Sequence, residues 1–515
     1  MEMSEPDTGS EEWSSTLEEQ KTQSLSLEEQ KTQSISLEDN TTGPPTCDET
    51  EPEPASQKSY LELHTPSILA SMEVVPDEGQ NEEVKMPETM CQIFSQSVVP
   101  FFLGGCGSIS AGLLLTHANK EFTLLKEVPE FLVLMPPLQG LRGNLDMTFS
   151  SRMTTLAHLG AFDRPGLLKK VWRNAAAAQA LSVSVCFLAN LIALLIVSMS
   201  SDYRDSRENQ TDSPANSSTS LSEKHFLFLT SASIMSMAVN CAICVTFLFT
   251  IIYYTWKHKY NPDNIVAPLG ASVSDLLTIG SMLIFCYGLR ACSLDNTVSI
   301  TIISLAVLSI PMWIFLAWKD DSALKTAKEQ CISLMIAAIV SCGAGYLQSQ
   351  GALTFPNYPA YQTLISGSTG NRGAVLASKI SSYLEVHKES QLPFRERVCP
   401  LYYYRSRCPE AKTARLLLYT ALPFQMLFVG VSTAVASLII GEAVELHKGF
   451  FIGYAIVVCI QQSFIIYLAQ LLVYSLWTLK IDPDIHAIPL ITSAADLFGC
   501  GLLYLLFIIL SAAFK

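Results

Sequence analysis

Two stretches, Lys259–Leu276 (KYNPDNIVAPLGASVSDL) and Lys480–Leu497 (KIDPDIHAIPLITSAADL), decide how this chain is built. Pro262 and Pro483, Asp263 and Asp484, Pro268 and Pro489, and Asp275 and Asp496 stay in register, and Gly280 and Gly501 extend the match. Chance supplies one such coincidence, not the whole set. A second pair of segments agrees. Gly143-Asn144 followed by Ser150-Ser151-Arg152 answers to Gly370-Asn371 followed by Ala377-Ser378-Lys379. The chain therefore contains an internal duplication.

Composition places both copies in a membrane. Only 16% of the 515 residues are charged, against about a quarter in ordinary soluble chains, and mean hydropathy is +0.30. From Ser97 onward, apolar stretches long enough to cross a ~30 Å hydrocarbon core recur. They lie near 95–116, 129–151, 174–200, 225–256, 264–290, 298–318, 330–348, 358–385, 412–441, 449–478 and 485–513. Eleven crossings are expected, of which the second and eighth are the least apolar, interrupted by Gly, Asn and charged residues. The expected fold is an all-α polytopic membrane protein. It has two parallel five-helix repeats, 95–291 and 329–515, joined by one extra transmembrane helix at 298–318. Parity gives the extra helix a purpose. Two five-span units joined directly sit inverted, and one more crossing returns the second unit to the orientation of the first.

The overall charge of −14 is unevenly distributed. Residues 1–92 hold 22 acidic and 4 basic side chains, so the remainder is mildly basic. In that tail LEEQKTQSLS (Leu17–Ser26) recurs as LEEQKTQSIS (Leu27–Ser36), and Pro/Glu-rich sequence follows. Such a segment buries too little apolar surface to offset its chain entropy, so a disordered cytoplasmic tail is expected. No apolar stretch follows Met1, and no cleaved leader is expected. An acidic tail on a mildly basic membrane body offers no clustered stripe for phosphates, which argues against nucleic acid. The 14 cysteines are scattered, many inside apolar runs, as buried small hydrophobes are. Cys399 and Cys408 lie on a basic loop without a nearby His, so no zinc site is expected there.

Charge between spans sets the orientation. Loops after even-numbered spans carry Arg164, Lys169, Lys170 and Arg173, then Lys257 and Lys259, then Lys319, Lys325 and Lys328, and later Lys388, Arg395, Arg397, Arg405 and Arg407. Loops after odd-numbered spans are poorer in Lys and Arg. The positive-inside rule then puts the N-terminus in the cytoplasm and the C-terminus outside. Two glycosylation sequons, Asn209-Gln-Thr and Asn216-Ser-Ser, fall in the third loop, which this assigns outside, and together they favour the plasma membrane.

Asp275 (VSDLLTIG) and Asp496 (AADLFGCG) lie well inside apolar spans. A carboxylate at that depth is costly and must face a wet cavity or a cation. The bland alternative, a structural pair with an intramembrane Lys or Arg, lacks a basic residue placed equivalently in both halves. One turn before the acids stand Ala271/Ser272 and Thr492/Ser493, and a turn earlier Pro268 and Pro489, a small, hydroxylated, kinked face suited to a pore wall. Facing carboxylates with hydroxyls and carbonyls suit a hard cation, and Mg²⁺ is held by one or two carboxylates through retained waters. No Cys/His cluster points to a soft metal. Asn144 and Asn371, beside glycines in broken spans, either add oxygen ligands or satisfy backbone groups at the breaks. Asp263 and Asp484 either favour the helix N-terminus or collect cations at the cytoplasmic mouth. Gly104-Gly105-Cys106-Gly107 sits in an apolar setting and reads as close helix packing, not as a phosphate loop.

At these residues the sequence resembles the MgtE-type magnesium transporters and, more closely, their animal solute-carrier relatives with two fused membrane units. The resemblance spans residues 95–515 and is carried by GLRGNLDMTFSSRM (Gly140–Met153) and the two stretches quoted first. It implies Mg²⁺ permeation along an axis between units, with Asp275 and Asp496 lining the path. Two departures stand out. The tail is too short and polar for the large Mg²⁺-sensing domain of the bacterial proteins. Where the family's second-half signature has Gly-Gly-Asn followed by an apolar residue, this chain reads Thr369-Gly370-Asn371-Arg372, with Leu145 at the matching first-half position. A cation there repels a passing metal if it faces the path and is harmless if it snorkels.

The expected activity is therefore divalent-cation transport, with Mg²⁺ as the transported ion, other divalent cations as further candidates and Na⁺ as the candidate coupling ion. No enzyme activity and no bound cofactor are expected. The two halves in one chain allow a pseudo-dimeric monomer within the lipid bilayer. Two other classes compete. An intramembrane aspartyl protease also uses two membrane aspartates, but these sit in duplicated contexts without a Gly-x-Gly-Asp arrangement. A transport-impaired regulatory or scaffold protein draws on Arg372, and robust flux by the purified chain excludes it.

Overall fold

The computed structural model describes residues 90–513 apart from 129, 159, 200–215, 259–262, 292–295, 356, 387–393 and 441–447. The acidic repetitive tail, the Asn209 sequon, the Asn261-Pro262 pair and the side chains of Asp263 and Pro268 lie outside the described residues. Among those described, regular structure is entirely helical. Eleven long helices carry the fold: α1 (Met90–Glu121), α2 (Glu130–His158), α3 (Leu167–Met199), α4 (Asn216–Lys257), α5 (Asp263–Ala291), α6 (Asn296–Ala317), α7 (Asp321–Thr354), α8 (Tyr358–Val386), α9 (Pro409–Ile440), α10 (Lys448–Thr478) and α11 (Pro483–Ala513). Short helices at Thr123–Glu127, Phe394–Val398 and Pro400–Arg405 sit in the connections.

These helices fall where the eleven spans are expected. Nine of them, among the described residues, are long and apolar enough to cross a membrane. The two that fall short are α2 and α8, so composition by itself supports nine crossings, not eleven. Their deficit has a physical source, because they carry the glycines and amides that line the central cavity and the buried Arg142 and Arg372. Outward-facing side chains are apolar, as a lipid-solvated surface requires, with Leu308, Ile452 and Ile284 among the most exposed.

Local signals set the helix starts. The Asp320 carboxylate accepts from the Ala323 amide at 3.2 Å and caps α7. Asp482 accepts from the Asp484 amide at 3.0 Å just before Pro483 begins α11, a position where proline's missing N–H costs nothing.

Helix packing repeats between halves. Helix α5 packs on α1, α2 and α4, and α11 packs in the same way on α7, α8 and α10. The halves also interlock, since α1 lies against α8 and α7 against α2. Each crossing is made close by a glycine. A Cβ on Gly112 of α1 would sit 2.8 Å from the Ala360 carbonyl oxygen of α8, and one on Gly345 of α7 would sit 2.0 Å from the Val133 carbonyl oxygen of α2. Gly112 with Gly345 and Ala360 with Val133 are equivalent positions, so one contact is used twice. Gly105 and Gly107 likewise meet Phe428 and Ser272, which is the close packing expected of that glycine run. Helix α6 stands apart. It touches mainly α3 and α4, buries only Ser299 and Ala317 outright, and turns Leu305, Leu308 and Phe315 outward.

Candidate functional site

Helices α2 and α8, expected to be broken at their Gly-Asn pairs but continuous through them, join the acid-bearing helices α5 and α11 in lining a cavity of about 60 Å³ between the repeats. That volume admits a small cluster of waters, on the order of four. Its wall is built from equivalent pairs: Gln139 with Ser366, Gly140 with Gly367, Gly143 with Gly370, Asn144 with Asn371, Ala271 with Thr492, and Asp275 with Asp496. Both aspartates open onto this one space, and among the described residues neither forms an ion pair.

Each carboxylate lies against a glycine of the opposite repeat. A Cβ on Gly140 would be 3.6 Å from Asp496 Oδ2 and 3.5 Å from Ser341 Oγ. A Cβ on Gly367 would be 3.8 Å from Asp275 Oδ2 and 3.0 Å from Ser108 Oγ. Ser341 of α7 and Asp275 of α5 both act electrostatically on the Asp496 carboxylate. The counterpart of Ser341, Ser108 of α1, 1% exposed, has no hydrogen-bond partner among the described residues. A methyl at Gly140 would make ordinary contacts, whereas one at Gly367 would crowd Ser108.

The remaining sequence-derived candidates divide. Asn144 and Asn371 line the cavity, and Thr492 lines it while donating to Asn144 Oδ1 at 3.0 Å. Ser272 and Ser493 do not. They stand three residues before the acids, and the wall uses the row four residues before, which is Ala271 and Thr492. Ser272 instead donates to the Gly104 carbonyl of α1 at 2.7 Å, and Ser493 to Leu490 of its own helix at 3.1 Å. Asp484 lies in the first turn of α11 and Asp263 begins α5. Twelve residues separate each from its buried aspartate, roughly 18 Å along a helix. Asp484 is not among the residues that line the cavity.

Charge near the cavity is richer than expected from the bare acids. Arg142 of α2, fully buried, forms a two-pronged ion pair with Asp146, with its Nε 3.0 Å from Oδ2. The Ser274 hydroxyl donates to the same carboxylate from α5, beside Asp275. Basic residues therefore do sit at this depth, but Arg142 serves Asp146 and not the cavity acids. Arg372 is also buried and does not line the cavity. It neither faces the path nor snorkels to the surface.

Ser108 and Ser341 were absent from the candidate residues. The signal for them is SISAG (Ser108–Gly112) against SCGAG (Ser341–Gly345), which agree at three of five positions and also carry the two interlocking glycines. Gly140 and Gly367 were signalled by GLRGN (Gly140–Asn144) against GSTGN (Gly367–Asn371).

Comparison with known proteins agrees with the duplication. The MgtE family model, described as a divalent cation transporter, matches twice, over residues 135–285 and 362–506. The first match runs from α2 into α5 and the second from α8 into α11. Solute carrier family 41 member 3 of Rattus norvegicus is 28% identical over 435 residues, covering 82% of this chain and 88% of the relative. Solute carrier family 41 member 2 of Homo sapiens is 28% identical over 437 residues, covering 82% of this chain and 71% of the relative. No solved structure matches the chain.

Proposed function

Since this chain belongs to the MgtE family of divalent cation transporters, we propose that it moves Mg²⁺ across the plasma membrane between its two repeats, with Asp275 and Asp496 holding the ion in transit. The observation that carries this reading is the convergence of two repeat-equivalent carboxylates on one polar cavity. Mg²⁺ gives up its waters reluctantly and prefers near-octahedral oxygen coordination. A space for about four waters, walled by two carboxylates and the amides of Asn144, Asn371 and Gln139, suits an ion that keeps part of its shell. The carboxylates supply the charge that draws a dication to this depth, and the amides replace lost waters. A soft metal finds no thiol or imidazole on this wall.

In the same reading the repeats lie parallel, all eleven long helices cross the bilayer, and α2 and α8 are shielded from lipid by their neighbours. The N-terminus is cytoplasmic, the C-terminus is extracellular, and Na⁺ is the counter-ion whose gradient drives flux. The test is Mg²⁺ uptake by vesicles containing the purified chain, with and without an imposed Na⁺ gradient. Asp275→Asn and Asp496→Asn are each expected to reduce uptake at least tenfold. Wild-type uptake in both variants sinks the assignment of the path.

A further inference from the structure

Arg372 is the residue for which a path between two aspartates has no evident use. It follows Gly370 and Asn371, which both line the cavity, yet its side chain leaves the wall and is 2% exposed. Its guanidinium donates to the Leu417 carbonyl at 2.8 Å, the Thr420 hydroxyl at 3.0 Å and the Thr420 carbonyl at 3.4 Å, all on α9. Two rings flank it, Phe101 of α1 at 5.2 Å and Phe424 of α9 at 5.6 Å from the ring centroids. Carbonyl oxygens and ring faces stabilise a cation while leaving its charge in place. Among the described residues Arg372 forms no ion pair.

The local charge balance gives this a consequence. Within one helical turn of a cavity-lining residue, the four wall helices carry Asp275, Asp496, Arg142, Asp146 and Arg372 as their charged side chains. Arg142 and Asp146 neutralise each other. What remains is two carboxyl groups facing the cavity and one positive charge fixed behind its second-repeat wall. The equivalent first-repeat position is the buried, apolar Leu145, so the positive charge is present on one side only.

We propose that Arg372 is a built-in counter-charge of the path, loosening the hold on a divalent cation when the cavity is full. The inference rests on the transport reading above. Two carboxylates alone, in a medium where charges interact strongly, bind a dication tightly and release it slowly. A fixed positive charge behind the wall raises the free energy of the loaded state and speeds exit.

The experiment compares Arg372→Gln, which keeps a donor for the α9 carbonyls but loses the charge, with Arg372→Lys, which keeps the charge but changes the shape. Mg²⁺ binding to the detergent-purified chain is measured by calorimetry, and Mg²⁺ flux in vesicles separately. Arg372→Gln is expected to bind Mg²⁺ about tenfold more tightly, by the size of such charge effects in a partly buried setting, with lower maximal flux. Arg372→Lys is expected to resemble wild type. Affinity unchanged in Arg372→Gln, or altered equally by Lys and Gln, overturns the counter-charge. Mg²⁺ binding by wild type without flux overturns the transport reading instead, and the affinity comparison still decides the role of Arg372. Should Arg372→Gln melt too early to titrate, Arg372→Leu, which copies the first repeat's Leu145, takes its place with the same expectation.

Discussion

The Thr492 hydroxyl donates to the Asn144 side-chain oxygen at 3.0 Å, tying α11 of the second repeat to α2 of the first at the cavity wall. The mirror positions are Ala271 and Asn371, where no hydroxyl is available. The Asn144 side is braced further, because Thr148 donates to the Asn144 carbonyl at 3.0 Å and Gln330 of α7 donates to Thr148 at 2.7 Å. Two sides with the same carboxylate therefore differ in how firmly their amide is held.

Thr492→Val removes this tie at nearly constant volume. A lost hydrogen bond of this kind costs on the order of 1 kcal/mol, which should appear as a small drop in melting temperature in detergent. The Mg²⁺ concentration for half-maximal flux should rise several-fold, because Asn144 then rotates freely at the wall. Half-saturation equal to wild type, in a variant of normal stability, would show that Asn144 does not contact the ion.

The two serines behind the carboxylates predict an unequal pair. Ser341 acts electrostatically on Asp496, whereas Ser108 has no hydrogen-bond partner among the described residues. Ser341→Ala should therefore shift the Mg²⁺ dependence of flux more than Ser108→Ala does. Equal shifts would mean that Ser108 engages Asp275 during transport, and flux assays on the two variants side by side decide it.

The Arg142–Asp146 pair predicts strong non-additivity. Removing one member of a buried pair strands the other charge and costs about 3–5 kcal/mol, whereas replacing both with apolar residues is close to neutral. Asp146→Leu should thus abolish folded yield, and the double variant Arg142→Met with Asp146→Leu should restore much of it. Size-exclusion yield and thermal melting measure the coupling. Additive losses would show that the pair is solvated in the native protein.

Hydropathy marks nine of the eleven long helices among the described residues, because burial in lipid imposes a signal some twenty residues long, and it is weak in α2 and α8 because they turn glycines and amides to the cavity. The paired aspartates were legible for a different reason: duplication preserved Pro, Asp and Gly at fixed intervals, and two coincident irregularities are hard to produce by chance. The interlock of α1 with α8 was not legible. It depends on Gly112 meeting Ala360, residues far apart in sequence whose proximity no periodicity reveals. Arg142 illustrates a second limit. It sits four residues before Asp146, and that spacing marks a helical ion pair, but only the folded bundle distinguishes a pair buried beside the cavity from one facing lipid headgroups. Ser272 and Ser493 mark a third. Helical spacing put them within a turn of the acids, and a single 100° step between adjacent residues decides which of two neighbours sees the cavity.

The glycines separate packing from transport. At Gly345 an added methyl would meet the Val133 carbonyl oxygen at 2.0 Å and at Gly112 the Ala360 carbonyl oxygen at 2.8 Å, and backbone atoms cannot move aside without shifting a helix. Gly143 lines the cavity, and a methyl there meets nothing within 4 Å. Alanine at either interlock glycine overpacks a helix crossing, at a typical cost of about 1–3 kcal/mol, with Gly345→Ala the more damaging. Alanine at Gly143 gains up to about 1 kcal/mol of helix propensity and takes volume only from the path. Gly345→Ala should then lose folded protein, while Gly143→Ala should purify and melt like wild type or slightly higher and yet carry Mg²⁺ more slowly. Full flux in a well-folded Gly143→Ala would mean that Mg²⁺ passes elsewhere, because a cavity of about 60 Å³ cannot lose a methyl's volume without hindering a partly hydrated ion.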